Sequence, residues 1–223
     1  MGSMRAGVLG VALASWAVVA VAEVGVDHSA AARARAQASP LHQSARAAGG
    51  KLQQRVEARP QTLALGLRAL SERSSDVVLV HVLGNHCELS PDGVAPLTRY
   101  QALVLRSWKG AAVGETIEIS LPVGLVSFED GTKASRSARG FRALKNDMRY
   151  VLFLREADAS ERGQTPGRRL SGGDGLQGAF GLYNERVYPA YHLDGMNKKD
   201  KYRGLPVAKF VRELDGVGRP GRR

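Results

Sequence analysis

The residues of this chain best suited to chemistry are aromatic and cationic. Tyr183, Tyr188, Tyr191 and Tyr202 are interspersed with Arg186, Lys198, Lys199, Lys201 and Arg203, and a second pairing, Trp108-Lys109, ends the stretch TRYQALVLRSWKG at 98–110. Aromatic rings offer stacking faces and cations neutralise phosphate or carboxylate, the combination with which small β-barrels hold single nucleic acid strands or glycans. A structural reading is equally open. The tyrosines then cover barrel ends with their hydroxyls in water, NKKDKYR at 197–203 is a solvated turn, and Trp108 is the end of a hairpin before it is a ligand platform.

Other reactive patterns fail on spacing. His86 and Cys87 are adjacent, and neighbours on a strand point to opposite faces, so they do not form a base and nucleophile pair. His81 or His192 would have to supply the base from elsewhere. GDGLQG at 173–178 has the letters of a dinucleotide loop, but it lacks the strand before it and the helix after it that place a pyrophosphate on a helix N-terminus. Asp174-Gly175 reads better as a turn and Gly178 as a strand glycine. His81 and His86 are wrongly spaced for a shared metal, and no Cys-x-x-Cys or His-x-x-x-His occurs. Neither Gly-x-Ser-x-Gly nor Ser-x-x-Lys is present, so the expectation is no catalytic residue, no metal and no cofactor.

The elements that must position the aromatic and cationic groups are strands. Leu63, Leu67 and Leu70 stripe a short helix, after which DVVLVHVLG (76–84) is a β-branched run typical of a buried strand. Asn85, Pro91, Asp92 and Gly93 signal a turn. The 98–110 strand follows, with Leu103 and Leu105 on one face and Ala102 and Val104 on the other, which implies cover on both sides. TIEISLPV (116–123) alternates as a half-exposed strand does, 127–147 is polar and reads as a long loop, and MRYVLFLRE (148–156) is again a buried strand. LSGGDGLQGAFGLYNERVYPAY holds a pair of short strands, and PVAKFVREL (206–214) is a closing amphipathic helix. No helix separates the strands, so the fold expected is mainly β: a small antiparallel barrel of about five to six strands, of the oligonucleotide/oligosaccharide-binding (OB) type, with a short helix before it and a C-terminal helix.

The ends of the chain have a different composition. Arg5, the apolar run Ala6–Ala22 and Ala20-Val21-Ala22 before Glu23 form the three parts of an export signal, so residues 1–22 are expected to be a signal peptide cleaved after Ala22, leaving no transmembrane span. The rival is a retained anchor, for which the run is at the lower limit of length. Residues 23–60 are rich in Ala, Arg, Gln and Ser and are expected to be a flexible arm; 61–214 is the barrel domain and 215–223 a basic disordered tail. One cysteine in an oxidising compartment makes no internal disulfide, so packing must supply the stability. The net charge of +11 favours anionic partners, although an Arg-rich genome would produce the same excess.

Taken in order, LRALSERSSDVVLVHVLG, TRYQALVLRSWKG, GETIEISLP, MRYVLFLRE, LSGGDGLQGAFGLYNERV and LPVAKFVREL resemble a loose group of exported bacterial domains of unknown function, over roughly 63–214. The strand plan is also similar to the netrin and metalloproteinase-inhibitor barrels, whose N-terminal and paired cysteines this chain lacks, so inhibition through such a cysteine is not implied. The expected function is a secreted or periplasmic, non-enzymatic binding module for an anionic envelope polymer or a protein, with nucleic acid a less favoured ligand. Two alternatives stand beside it: an enzyme using Cys87 or His192, and a structural protein linked into dimers through Cys87.

Overall fold

The apolar runs become the staves of a closed barrel. The computed structural model describes residues 36–56, 66–156, 168–171, 178–191 and 201–217. In chain order they form α1 (Pro40–Ala47), β1 (Lys51–Val56), α2 (Leu67–Glu72), β2 (Asp76–Leu89), β3 (Pro96–Lys109), β4 (Thr116–Leu121), β5 (Gly124–Ser127), β6 (Lys133–Ala138), β7 (Arg149–Glu156), β8 (Arg168–Leu170), β9 (Ala179–Tyr183), β10 (Arg186–Pro189), β11 (Leu205–Pro206) and α3 (Val207–Val217).

Five strands close on themselves in the order β7-β2-β3-β4-β8-β7. The ring is mixed rather than wholly antiparallel, because β4 and β8 run parallel where Ile119 meets Arg168. A ring with an odd number of strands cannot alternate direction at every step, so one parallel pair is the geometric condition for closure. Residues of one parity fill the interior, among them Val78, Val80, Ala102, Ile117, Ile119 and Leu152, all at most 1% exposed.

Strand β7 forks. Its residues Arg149–Leu152 pair with β9, while Leu154–Glu156 pair with β8. The hairpin β9–β10 therefore splays away from the ring and extends the sheet, with β11 at its edge. One hairpin face is covered by α3: Phe180 packs on Phe153, Tyr202 and Phe210, with ring centroids 5.1 to 5.8 Å apart. At one end of the barrel the segment 139–147 forms a plug. Leu144 is buried, the Tyr150 hydroxyl accepts the Lys145 N–H at 2.9 Å, and the Tyr100 hydroxyl meets the backbone of Leu144.

Several expectations are corrected. Residues 40–56, read as part of a flexible arm, are α1 and β1; β1 pairs in parallel with β6, and Leu41 and Ala45 pack on Phe128 and Ala134. The arm has few large apolar residues of its own, and its burial depends on a hairpin some 80 residues further on in the chain. That hairpin, β5–β6, occupies part of the polar segment 127–147 expected to be a loop. The turn expected from Asn85 begins only at Ser90, because β2 continues through His86 and Cys87 to Leu89, with Gly84–Leu89 paired with β3. Leu105, expected under cover, is 37% exposed. Asp215, assigned to the tail, lies in the closing helix, which runs three residues further than its sequence pattern. The signal peptide, residues 57–65, Asp174-Gly175 and residues 218–223 lie outside the described residues. Among the described residues no helix is long and apolar enough to cross a membrane.

Candidate functional site

Trp108 and Lys109 are parts of a corner. The Trp108 indole N–H donates to Asp215 Oδ1 at 2.7 Å, and the Arg106 guanidinium lies 4.7 Å above its ring while also reaching Asp215. Lys109 Nζ donates to the carbonyls of Ser71, at 3.3 Å, and Ser74, so it satisfies the C-terminal end of α2. Gly110 follows with φ +79°, and a Cβ there would come within 2.2 Å of Asp76 Oδ1. The buried Asp76 carboxylate in turn accepts the Ala111 N–H at 2.8 Å and faces Arg168 at 3.3 Å. The Ser75-Asp76 pair at the start of β2 and the Lys109-Gly110 pair at the end of β3 are thus two halves of one joint, which gives these residues a packing reason to occur together.

The tyrosines separate into two groups. Tyr202 is 7% exposed inside the aromatic cluster under α3, and Lys201 sits 4.6 Å over its ring and 3.3 Å from Glu213. Tyr183 and Tyr188 are 58% and 38% exposed. Register places them together: Tyr183 is opposite Arg186 and Tyr188 opposite Gly181, two residues along, so all three side chains share one hairpin face. Asn184 and Glu185 form the two-residue turn with φ of 47° and 58°, the left-handed geometry that lets the strands twist together. Arg186 also donates to the Gly204 carbonyl at 2.7 Å. Tyr191 is half-buried and bridges Phe141. His192, Lys198 and Lys199 lie outside the described residues.

The expected union of Trp108 with the tyrosine surface does not form. Trp108 binds near the C-terminal end of α3, whereas the hairpin turn meets its first residue through the Val207 N–H and Glu185 carbonyl. The helix holds the two apart by about 12 Å along its axis. The structure ties the backbone of two other cationic residues to the hairpin side of the barrel. The Arg142 N–H donates to the Ala190 carbonyl at 2.8 Å, and Lys145 is tied to Tyr150, which is in register with Gly181 and Tyr188. Arg142 and Lys145 are both exposed. They were missed because a polar stretch with no apolar period does not reveal which strand its backbone will follow.

Tyr183, Arg186 and Tyr188 therefore share one hairpin face, and the backbone of the plug residues Arg142 and Lys145 is tied to Ala190 past β10 and to Tyr150 beside Gly181. That face supplies stacking area and positive charge, the chemistry of ligand holding rather than bond making.

Cys87 lies on the far half of β2. Burial pushes its thiol up, against the lowering effect of a hydrogen bond with Thr98. A Cβ on Gly124 would lie 2.5 Å from both Cys87 Sγ and Thr98 Oγ1, so β5 crosses the thiol at close range. His86 is near Glu88, at 3.8 Å, and His81 near Asp147, at 3.8 Å. Among the described residues no three His, Cys, Asp or Glu side chains converge as metal ligands. Comparison with protein-family models and with curated proteins finds no match to this chain.

Proposed function

We propose that this chain is an exported, non-enzymatic binding module that holds an anionic polymer of the cell envelope on the face formed by Tyr183, Arg186, Tyr188, Arg142 and Lys145. The observation that carries this reading is the pair of exposed tyrosines on one hairpin face with Arg186 between them, beside a plug whose exposed Arg142 and Lys145 are anchored by their backbone to Ala190 and Tyr150. The contact of the hairpin with α3 is made by the opposite face, with Phe180 and Val187. The closed ring supports the reading by providing a rigid base, in the way OB-type barrels serve ligands. The basic sequence and the export signal expected at residues 1–22 set the compartment, secreted or periplasmic, in which such polymers occur.

A protein partner is the second reading, and a separate observation favours it. Leu83 and Leu105, 47% and 37% exposed, lie at irregularities of the β2–β3 ladder. The two cysteine hypotheses have weaker support. A raised thiol pKa lowers the thiolate fraction that a nucleophile needs, and a disulfide between chains would require β5 to lift from Cys87.

The test is binding of residues 23–223 to polygalacturonate, to phosphatidylglycerol vesicles and to a thymidine oligonucleotide, at low and at high salt. Salt-weakened binding to polygalacturonate that falls in Tyr183→Ala/Tyr188→Ala is the expected result. Absence of binding to all three would transfer the weight to the protein partner. Preference for vesicles or for the oligonucleotide would replace the polymer class while keeping the face.

A further inference from the structure

Tyr150 is buried, yet both ends of its side chain touch elements of the proposed ligand face. Its hydroxyl accepts the Lys145 N–H at 2.9 Å, and burial raises its pKa, so it stays a neutral phenol. Its ring edge lies against Gly181: a Cβ at that position would be 3.2 Å from Tyr150 Cε1. In the cross-strand row Tyr150–Gly181–Tyr188, the glycine is the gap into which the Tyr150 ring fits. The neighbouring Tyr100 hydroxyl meets the backbone of Leu144, one residue before Lys145, and Arg142 is bonded to Ala190 just past β10.

We infer that Tyr150 is a positioning residue for the ligand face, fixing the height of the 139–147 plug above the hairpin and so setting Arg142 and Lys145 against Tyr183 and Tyr188. This rests on the function proposed above. The hydroxyl decides where the plug sits along the barrel axis, and the ring decides how close β9 and β10 come to it. A bare glycine in the middle of a strand weakens that strand; here it makes room for the ring that registers the two cationic and aromatic halves. Without the hydroxyl the Lys145 N–H loses its acceptor, and the plug relaxes outward toward water.

The experiment is a double-mutant cycle read by affinity for polygalacturonate at low salt, with thermal unfolding measured alongside. Tyr150→Phe keeps the ring and is expected to weaken binding about fivefold, the size of one lost hydrogen bond. In an Arg142→Ala/Lys145→Ala background the same change is expected to have no further effect on affinity, because the groups it positions are gone. Gly181→Ala moves the ring by a few tenths of an ångström at a backbone φ that alanine tolerates, and weakens binding in the same direction. Lys133→Ala removes a cation on the distant strand β6 and serves as the control for bulk charge.

Full additivity of Tyr150→Phe in the cycle overturns the inference, because a merely structural tyrosine would weaken binding equally in both backgrounds. Unchanged affinity in Tyr150→Phe and Gly181→Ala, with binding lost in Arg142→Ala/Lys145→Ala, overturns it while leaving the ligand face standing. Unchanged binding in Arg142→Ala/Lys145→Ala and in Tyr183→Ala/Tyr188→Ala, or no binding by the unaltered chain, overturns the face and this inference together.

Discussion

The barrel and the small unit beside it are built on opposite principles. The barrel buries a continuous set of aliphatic residues from its own strands, and each of the five strands has two neighbours. The unit of α1, β1 and the β5–β6 hairpin centres on a cluster of four buried apolar residues, Leu41, Ala45, Phe128 and Ala134, with partial cover from Leu52, Leu89 and Val126. Polar contacts do the rest. The buried His42 ring stacks on Phe128 with centroids 4.3 Å apart, faces the Gln37 carbonyl at 2.7 Å and meets Asp130 at 2.9 Å. Ser39 caps α1 by accepting the His42 N–H, and Pro40 follows at its first turn. A closed core makes the barrel cooperative. A small core held by named polar bonds makes its neighbour a candidate for local opening.

The largest effect should come from the barrel wall. Phe153 is fully buried between β7 and the helices, in edge contact with Phe180, so Phe153→Ala should cost about 3–5 kcal/mol and lower the main unfolding transition. Leu41→Ala removes a side chain that is 2% exposed, but from a cluster that can separate without opening the barrel. The expected loss is about 2 kcal/mol, confined to residues 36–56. Hydrogen exchange separates the two outcomes: faster exchange in α1 and β1 with β2, β3 and β7 still protected supports the comparison, and a uniform loss of protection defeats it.

The same contrast explains what could be read from the amino acids. Strands β2, β3, β4 and β7 announce themselves because they supply their own apolar surface, β2 and β7 as nearly continuous runs, β3 on both faces at its middle, and β4 through Ile117 and Ile119 alternating with Glu118 and Ser120. The α1 unit does not, since Leu41 and Ala45 share their buried cluster with Phe128 and Ala134, more than 80 positions away. Composition is a local quantity, and a shared core between distant segments is not. The candidate site shows the same division. Tyr183, Arg186 and Tyr188 belong to one hairpin and were legible together, whereas Arg142 and Lys145 join them through backbone bonds to Ala190 and Tyr150 that no spacing encodes. Trp108-Lys109 was legible as chemistry, but its partners, Asp215 and the end of α2, lie on other elements.

Trp108→Phe probes that corner with a smaller effect than either core change. The ring body stays, and what is lost is the indole N–H bond to an Asp215 that is itself 40% exposed. A loss of about 1 kcal/mol is expected, with polygalacturonate binding unchanged because the corner is remote from Tyr188. A drop in affinity equal to that of Tyr188→Ala would put Trp108 back on the ligand face.

The finest test of the comparison uses acid. Thr132 hydrogen bonds first, and the His42 contact after them, hold the Asp130 carboxyl down from 3.8 to about 2. A carboxyl whose pKa is depressed in the folded state contributes stability that is fully present above its unfolded value, and the contribution is lost as pH falls through the folded one. The window is therefore from about pH 4 down to about pH 2. Across it, protonation of Asp130 weakens its bonds to Thr132 and His42, and amide exchange in α1 should quicken before exchange in the barrel does. Asp130→Asn should bring that behaviour to neutral pH and flatten the acid response. If α1 instead stays protected until the whole barrel opens, the small unit is an integral part of the cooperative core, and the polar bonds around His42 are not what holds it.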